Sequence, residues 1–191
     1  MNRIFNVLAM ALFAVATVGA TDGDIKEVNT ETSVIEWTGK KVLGMGAHNG
    51  TIKIKSGSLE FDGDALVGGS FVIDMTTITN VDMAGKNGAG RLEGHLKSDD
   101  FFGVQTYPEA TLSITSAKAK HGSYEVTADL TIKGKTAPVT FMADVTTHTA
   151  NAAFDVDRTL FDVKYGSGKF FDDLGDKAIS DQFNIVVKLT Y

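Results

Sequence analysis

The chain has 191 residues, 18 basic against 24 acidic side chains, a formal net charge of −6 and no cysteine. This length is that of one ordinary domain, and the lack of cysteine excludes disulfides, a thiol nucleophile and a thiolate metal site. The acidic balance argues against a nucleic-acid partner, because phosphate contacts require clustered Lys and Arg.

Residues 1–20 have the three-part pattern of a secretory signal peptide. Arg3 supplies a positive charge, residues 7–16 are an uninterrupted apolar run, and small residues lead to Ala20, after which we predict cleavage. The apolar run is about half as long as a helix that crosses the hydrocarbon core. We therefore predict a periplasmic or secreted protein without a stable membrane anchor, whose mature domain spans residues 21–191.

Alternating apolar and polar residues predict antiparallel strands over most of the mature chain. A period of two places one apolar and one polar face on each strand. Glycines between paired runs predict hairpin turns at Ser56-Gly57, Asp62-Gly63, His121-Gly122 and Lys133-Gly134. About eight or nine strands fit, and we expect their inward faces to carry Ile35, Trp37, Phe71, Ile73, Met75, Leu112, Leu130, Ile132 and Phe141.

Two segments interrupt this alternation. Between Met75 and Ala110, the spacing of Leu92 and Leu96 predicts about two helical turns near residues 89–98, and connections of this length often act as lids. The second segment is residues 160–180. The predicted fold is therefore an all-β closed antiparallel barrel of about eight strands, with a short helix and loop as a lid. Such a barrel is either filled by its own side chains or holds one small ligand.

Motifs for catalysis, phosphate binding and metal binding are missing from the sequence. The glycine clusters lack the spacing of phosphate-binding and dinucleotide loops, and no serine lies in a nucleophile elbow. The histidines form no metal-binding pair, and the acids between residues 172 and 176 lack the spacing of a calcium loop. The sequence therefore predicts no catalytic residue, no metal site and no cofactor.

Two polar residues lie in contexts that suggest a contact. His95 adjoins Leu96 in the predicted lid, where it either touches a ligand or is a structural histidine. Arg158 lies beside apolar residues and is expected to pair with an acid such as Asp99. The alternative is an exposed ion pair, which would contribute less than about 1 kcal/mol.

Large aromatic side chains are more numerous than a thin core requires. They either pack the core or line an apolar cavity. Since polar groups are rare on the predicted inward faces, a molecule bound there would be held by burial of its apolar surface, at about 25 cal/mol per Å². A long hydrocarbon fits this description.

Four parts of the chain carry a recognisable set of motifs: residues 35–37, residues 94–102 with Tyr107-Pro108, residues 126–139 and residues 157–168. In this order they resemble the YceI family of periplasmic, lipocalin-like barrels associated with polyisoprenoid binding. The resemblance implies an eight-stranded barrel with a lipid-like ligand along its axis and no catalytic residues. In one departure, Val42 follows Lys40-Lys41 where the family usually has a histidine, so no histidine is carried over there.

Together these features predict a periplasmic binding or carrier protein for a polyisoprenoid, a quinone-like molecule or an acyl lipid. The ligand would contact the nine inward residues named above and the lid residues His95, Phe101 and Phe102. The sequence is also compatible with a homodimer. One alternative is a filled-core barrel that acts as a stress-response or protein-interaction module without a bound lipid. Another is an enzyme that acts on the lipid, for which no base and nucleophile pair is visible.

Overall fold

The computed structural model describes residues 23–44 and 46–191. The predicted signal peptide, residues 1–20, lies outside them. The described residues form nine strands and one α-helix: β1 (Asp24–Glu27), β2 (Val34–Lys41), β3 (Ala47–Asp62), β4 (Ala65–Asn80), α1 (Ala89–Lys97), β5 (Glu109–Lys120), β6 (Ser123–Ile132), β7 (Lys135–Val145), β8 (Thr149–Asp157) and β9 (Ile179–Thr190). No helix in this part of the chain is both long and apolar enough to cross a membrane.

Strands β2 to β9 form a closed barrel. Their order is β3-β2-β9-β8-β7-β6-β5-β4, and β4 pairs back with β3, which leaves eight antiparallel strands in a ring. The extra strand β1 pairs with the last part of β3, from Asp24 opposite Phe61 to Glu27 opposite Ser58. The predicted all-β antiparallel barrel of about eight strands is confirmed.

The β7–β8 ladder is much shorter than its neighbours. It has three residue pairs, from Ala143 opposite Ala152 to Val145 opposite Ala150, whereas the β6–β7 and β8–β9 ladders each have nine. Pro138 lies in the part of β7 that has no β8 partner, where the missing N–H of proline costs no ladder hydrogen bond. The turn at Arg158–Phe161 packs against β7 beside this gap.

Three of the four predicted hairpin turns are present, and one is wrong. At two of them, His121-Gly122 and Lys133-Gly134, both residues have positive φ, between 52° and 87°, as tight hairpins require. Ser56-Gly57 instead lies inside β3, beside a register shift between Ile54 and Ser56. A Cβ on Gly57 would lie 2.5 Å from the ring of Phe71 on β4. This glycine therefore makes room for a ring across the sheet.

The two irregular segments lie at the same end of the barrel. Residues 81–108 follow β4 and contain α1, whose bounds confirm the predicted helix, and residues 158–178 join β8 to β9. The β2–β3 hairpin turns at this end too, which we call the mouth end. The side chain of Glu93 on α1 accepts a hydrogen bond from the N–H of Asn80 at 2.8 Å, so the helix is tied to the end of β4.

Candidate functional site

The barrel encloses an apolar lumen. Two cavities of about 90 Å³ each lie along it. The side chains that line both cavities are Ile35, Ile73, Leu112, Phe154 and Val187. Asn151 is the one polar residue among the described residues that line either cavity. The lumen can therefore accept an apolar molecule and offers it almost no hydrogen bonds.

Several inward-facing side chains in the lumen remain partly exposed. Leu112, Phe141, Phe154 and Ile185 line the cavities, yet all four keep accessible surface, whereas core residues such as Val126 are 1% exposed. The rings of Phe141 and Phe154 stack at 4.3 Å between centroids with an interplanar angle of 11°. Because these side chains line the two cavities, part of their accessible surface faces unfilled space in the lumen.

A larger cavity of about 800 Å³ lies at the mouth, between β2, the β2–β3 hairpin, α1 and residues 165–179. Its apolar wall includes Trp37, Leu96 and Ile179. The cations Lys40, Lys41 and Arg91 also line it, and none of the three forms an ion pair with another described residue. Within the described chain no Asp or Glu lines this cavity. The lining of this cavity is therefore positive in a chain of net charge −6.

Two adjacent aromatic residues in the segment that follows α1 line different cavities. Phe102 lines the lumen cavity nearer the mouth and packs at 6.4 Å on Phe183, whereas Phe101 lines the mouth cavity. The ring of His95 lies edge-on to Tyr165 at 4.4 Å and to Phe101 at 5.2 Å. Phe102 therefore lies at the mouth end of the lumen.

The structure shows where each candidate ligand residue lies. Of the nine strand residues, Trp37 lines the mouth cavity and the other eight line the lumen cavities. His95 and Phe101 also line the mouth cavity. His95 is partly buried, with Nε2 at 3.8 Å from a carboxylate oxygen of Asp100. Contact of these side chains with a ligand stays a prediction. Four lumen residues, Phe154, Phe183, Ile185 and Val187, were not predicted as ligand contacts from the sequence. The last three could have been found from the alternation along the C-terminal strand.

The expected pairing of Arg158 with Asp99 is wrong. Arg158 is 3% exposed and donates hydrogen bonds to the carbonyl oxygens of Val163, Ile179 and Ser180, at 2.8, 3.1 and 2.9 Å. Its carboxylate partner is Asp181, at 3.7 Å. The turn that begins at Arg158 places the guanidinium beneath the start of β9, whereas Asp99 is exposed just after α1.

The Arg158 site is structural. Burial lowers the pKa of the guanidinium, and the charges of Asp181 and Asp157 oppose that change. One carboxylate oxygen of Asp181 is buried without a hydrogen-bond partner, and the other lies 3.4 Å from Nζ of Lys169. Arg158 also lies 5.8 Å from the centroid of the Phe101 ring, so a cation packs against an aromatic residue that lines the mouth cavity.

Asp82 organises the opposite side of the mouth. Its carboxylate accepts hydrogen bonds from the N–H of Asn49 at 2.9 Å and from the amide of Asn80 at 2.6 Å, and it lies 3.0 Å from Nδ1 of His48. Burial by itself would raise the pKa of Asp82, but these three partners outweigh it and lower the pKa to about 2. The carboxylate thereby joins the β2–β3 hairpin to the segment that leads into α1.

We expect Asp82→Asn to lower the free energy of unfolding by about 1–2 kcal/mol at neutral pH, because the side chain is partly solvated. The folded pKa of about 2 lies below the ordinary 3.8. The stabilisation is therefore complete above about pH 4 and disappears as the pH falls through about 2. Thermal unfolding of both proteins across this range should show their difference shrinking. Asp129→Asn, on the outer face of β6, is the matched control, and a difference that does not change with pH would contradict the assignment.

Comparisons with known proteins agree with this architecture. The model of the YceI-like domain family matches residues 27–191. The proteins named YceI of Escherichia coli O157:H7 and Shigella flexneri are each 37% identical over 101 residues, which is 53% of this chain and 50% of theirs. The match thus spans about half the length of these curated relatives.

Two solved structures share the fold. BcnA of Burkholderia cenocepacia superposes with a TM-score of 0.69 at 23% identity, over 86% of this chain and 99% of that one. A polyisoprenoid binding domain from Saccharophagus degradans, implicated in plant cell wall breakdown, gives a TM-score of 0.61 at 14% identity. It covers 86% of this chain and 96% of that domain.

Proposed function

The chain belongs to the YceI-like family, and we propose that it is a periplasmic carrier that holds a polyisoprenoid or a similar long-chain lipid inside the barrel. The observation that supports this most strongly is the lumen, which is apolar, incompletely filled and reached from a wide mouth. Burial of a hydrocarbon there is favourable at about 25 cal/mol per Å². The polyisoprenoid binding described for the Saccharophagus domain points to the same class of ligand.

The size of the cavities limits how such a ligand fits. Each lumen cavity, at about 90 Å³, is smaller than the ~150 Å³ cavity that accommodates benzene in an engineered protein core. A long chain must therefore occupy both lumen cavities and the mouth. Phe154 is one of the five side chains that line both lumen cavities, and Phe102 lines the lumen cavity nearer the mouth. We propose that both rings rotate when the ligand enters.

Binding rather than catalysis is the activity we propose. The two histidines that line the mouth are His48, which is bonded to Asp82, and His95, which is packed between rings. Neither is arranged with a nucleophile in the way that general-base catalysis requires. Export through the predicted signal peptide would place the carrier where it meets membrane lipids.

The direct test is to purify the exported protein and identify any lipid that native mass spectrometry and organic extraction detect. Binding of solanesol, a long polyprenol, can then be followed through the fluorescence of Trp37, the one tryptophan of the chain. We expect saturable quenching. Ala152→Phe places a ring in the lumen and should weaken solanesol binding at least tenfold.

Ala153→Phe is the matched control, because the neighbouring residue on β8 is exposed on the outer face and should leave binding unchanged. Equal binding by both variants would overturn the proposed site. A wild-type protein of bare-chain mass that does not bind solanesol would overturn the carrier function and favour a barrel that interacts through its outer surface. If Ala152→Phe does not fold, the wild-type measurements still decide the question.

A further inference from the structure

The exposed apolar side chains of this barrel are concentrated at one end. Of the eleven large hydrophobic residues that are exposed in the described chain, eight lie in the mouth-end connections. They are Val42, Leu43, Val81, Tyr107, Leu160, Tyr165, Phe170 and Phe171. The other three, Ile25, Val67 and Met142, are scattered over strands. Scattered apolar residues need no explanation, but a cluster at one end marks an interaction surface.

The β2–β3 hairpin carries the most exposed pair of this cluster. Val42 and Leu43 are 59% and 63% exposed at the start of its turn. The turn is held in place, since the N–H of Val42 donates to the carbonyl of Ala178 at 2.9 Å and the N–H of Lys41 donates to that of Gly46 at 3.0 Å. These bonds hold the backbone of Val42 at the rim of the mouth, where its side chain and that of Leu43 are exposed to water.

Positive charge lies directly behind this pair. Lys40 and Lys41 precede Val42 and have no carboxylate partner among the described residues, and Arg91 lies across the mouth cavity from them. Aliphatic residues backed by lysines match a lipid surface, where the apolar groups enter the acyl boundary and the ammonium groups meet phosphates.

The other apolar pair at the mouth end has the opposite charge beside it. Phe170 and Phe171 are followed by Asp172 and Asp173, which are exposed and would be repelled by anionic headgroups. The two lysines beside this pair, Lys164 and Lys169, are already paired with Asp162 and Asp157 in the described chain, unlike Lys40 and Lys41. Charge therefore distinguishes the two elements, and it selects the β2–β3 hairpin as the one that approaches an anionic bilayer first.

We propose that the β2–β3 hairpin docks the protein on a bilayer surface that contains anionic phospholipids. Val42 and Leu43 insert, and Lys40 and Lys41 contact the headgroups. This orientation points the mouth cavity at the bilayer, so a lipid can pass between bilayer and lumen without crossing water. The proposal goes beyond ligand binding, because docking does not require a ligand in the lumen.

The experiment is flotation of the purified protein with vesicles of phosphatidylethanolamine and phosphatidylglycerol, and with vesicles of phosphatidylcholine alone. We expect binding to the anionic vesicles that weakens as salt is raised. The double substitution Val42→Ser with Leu43→Ser should lower the vesicle affinity at least tenfold. Lys40→Gln with Lys41→Gln should remove the preference for phosphatidylglycerol. Val67→Ser, at an exposed site on β4 away from the mouth, and Phe170→Ser with Phe171→Ser should have much smaller effects.

Each result decides for or against docking. Wild-type protein that does not float with anionic vesicles overturns the proposal, as does a hairpin variant that floats as wild type does. A wild-type dimer in size-exclusion chromatography that the hairpin variant converts to a monomer also overturns it, since the tip would then join two copies. Solanesol binding by the same hairpin variant is measured separately. Its retention together with lost flotation shows that docking and ligand binding are distinct.

Discussion

Replacing Arg158 by methionine is expected to lower the free energy of unfolding by about 3–5 kcal/mol, because one partner of a buried charge pair is removed. The substitution leaves the carboxylate of Asp181 buried without its guanidinium, and it deprives the carbonyls of Val163 and Ile179 of their donors. Methionine replaces the stem of the arginine side chain and removes only the guanidinium, so the change in free energy arises more from charge and hydrogen bonding than from packing. Urea unfolding followed by circular dichroism measures it.

Two further variants make this result specific. Lys164 forms an exposed ion pair with Asp162 at 2.6 Å, and Lys164→Met should leave the free energy of unfolding almost unchanged. Arg158→Met combined with Asp181→Asn should regain part of the loss, since no unpaired charge then remains buried. A loss below about 1 kcal/mol in the single variant would show that water reaches the site.

A second large effect distinguishes an open lumen from a filled one. Phe161 is 0% exposed in the turn after β8, and Phe161→Ala should lower the free energy of unfolding by about 3–5 kcal/mol. Phe154 lies in the lumen and is partly exposed. Phe154→Ala should cost less than half as much, because its ring faces space that is already empty.

Equilibrium unfolding of the two variants in the same buffer gives the comparison, and both replace the same side chain by the same residue. If Phe154→Ala costs as much as Phe161→Ala, the barrel has a filled core in solution and the carrier function loses its main support. If the difference is as expected, lipid extracted from the wild-type protein has a place to reside.

Alternation predicted the inner face of this barrel well. A strand in a closed barrel has only two faces, and Ile73 and Leu112 had to share one of them with their neighbours two residues away. A one-residue error in register would have turned the whole set outward. The short helix was also predictable, because Leu92 and Leu96 follow a helical spacing and Leu96 is buried.

Other features depend on contacts that alternation does not encode. The sequence predicts a turn at Gly57, but this residue is a glycine inside β3 because a side chain there would collide with the Phe71 ring on the next strand. The partner of Arg158 depends on how residues 158–163 fold under β9. At the mouth, a register shift between Gly39 and Lys41 lets two consecutive lysines line one cavity, which strict alternation forbids.

The short β7–β8 ladder has a consequence for the behaviour of the protein at high concentration. Where the two strands part, each has a free edge, and free edges can recruit strands from other molecules into aggregates. Two features oppose this here. Pro138 offers no N–H to an incoming strand, and the turn at Arg158–Phe161 packs against β7 beside the gap. The turn at Arg158–Phe161 therefore also opposes aggregation. Loss of Arg158 should favour aggregation as well as unfolding.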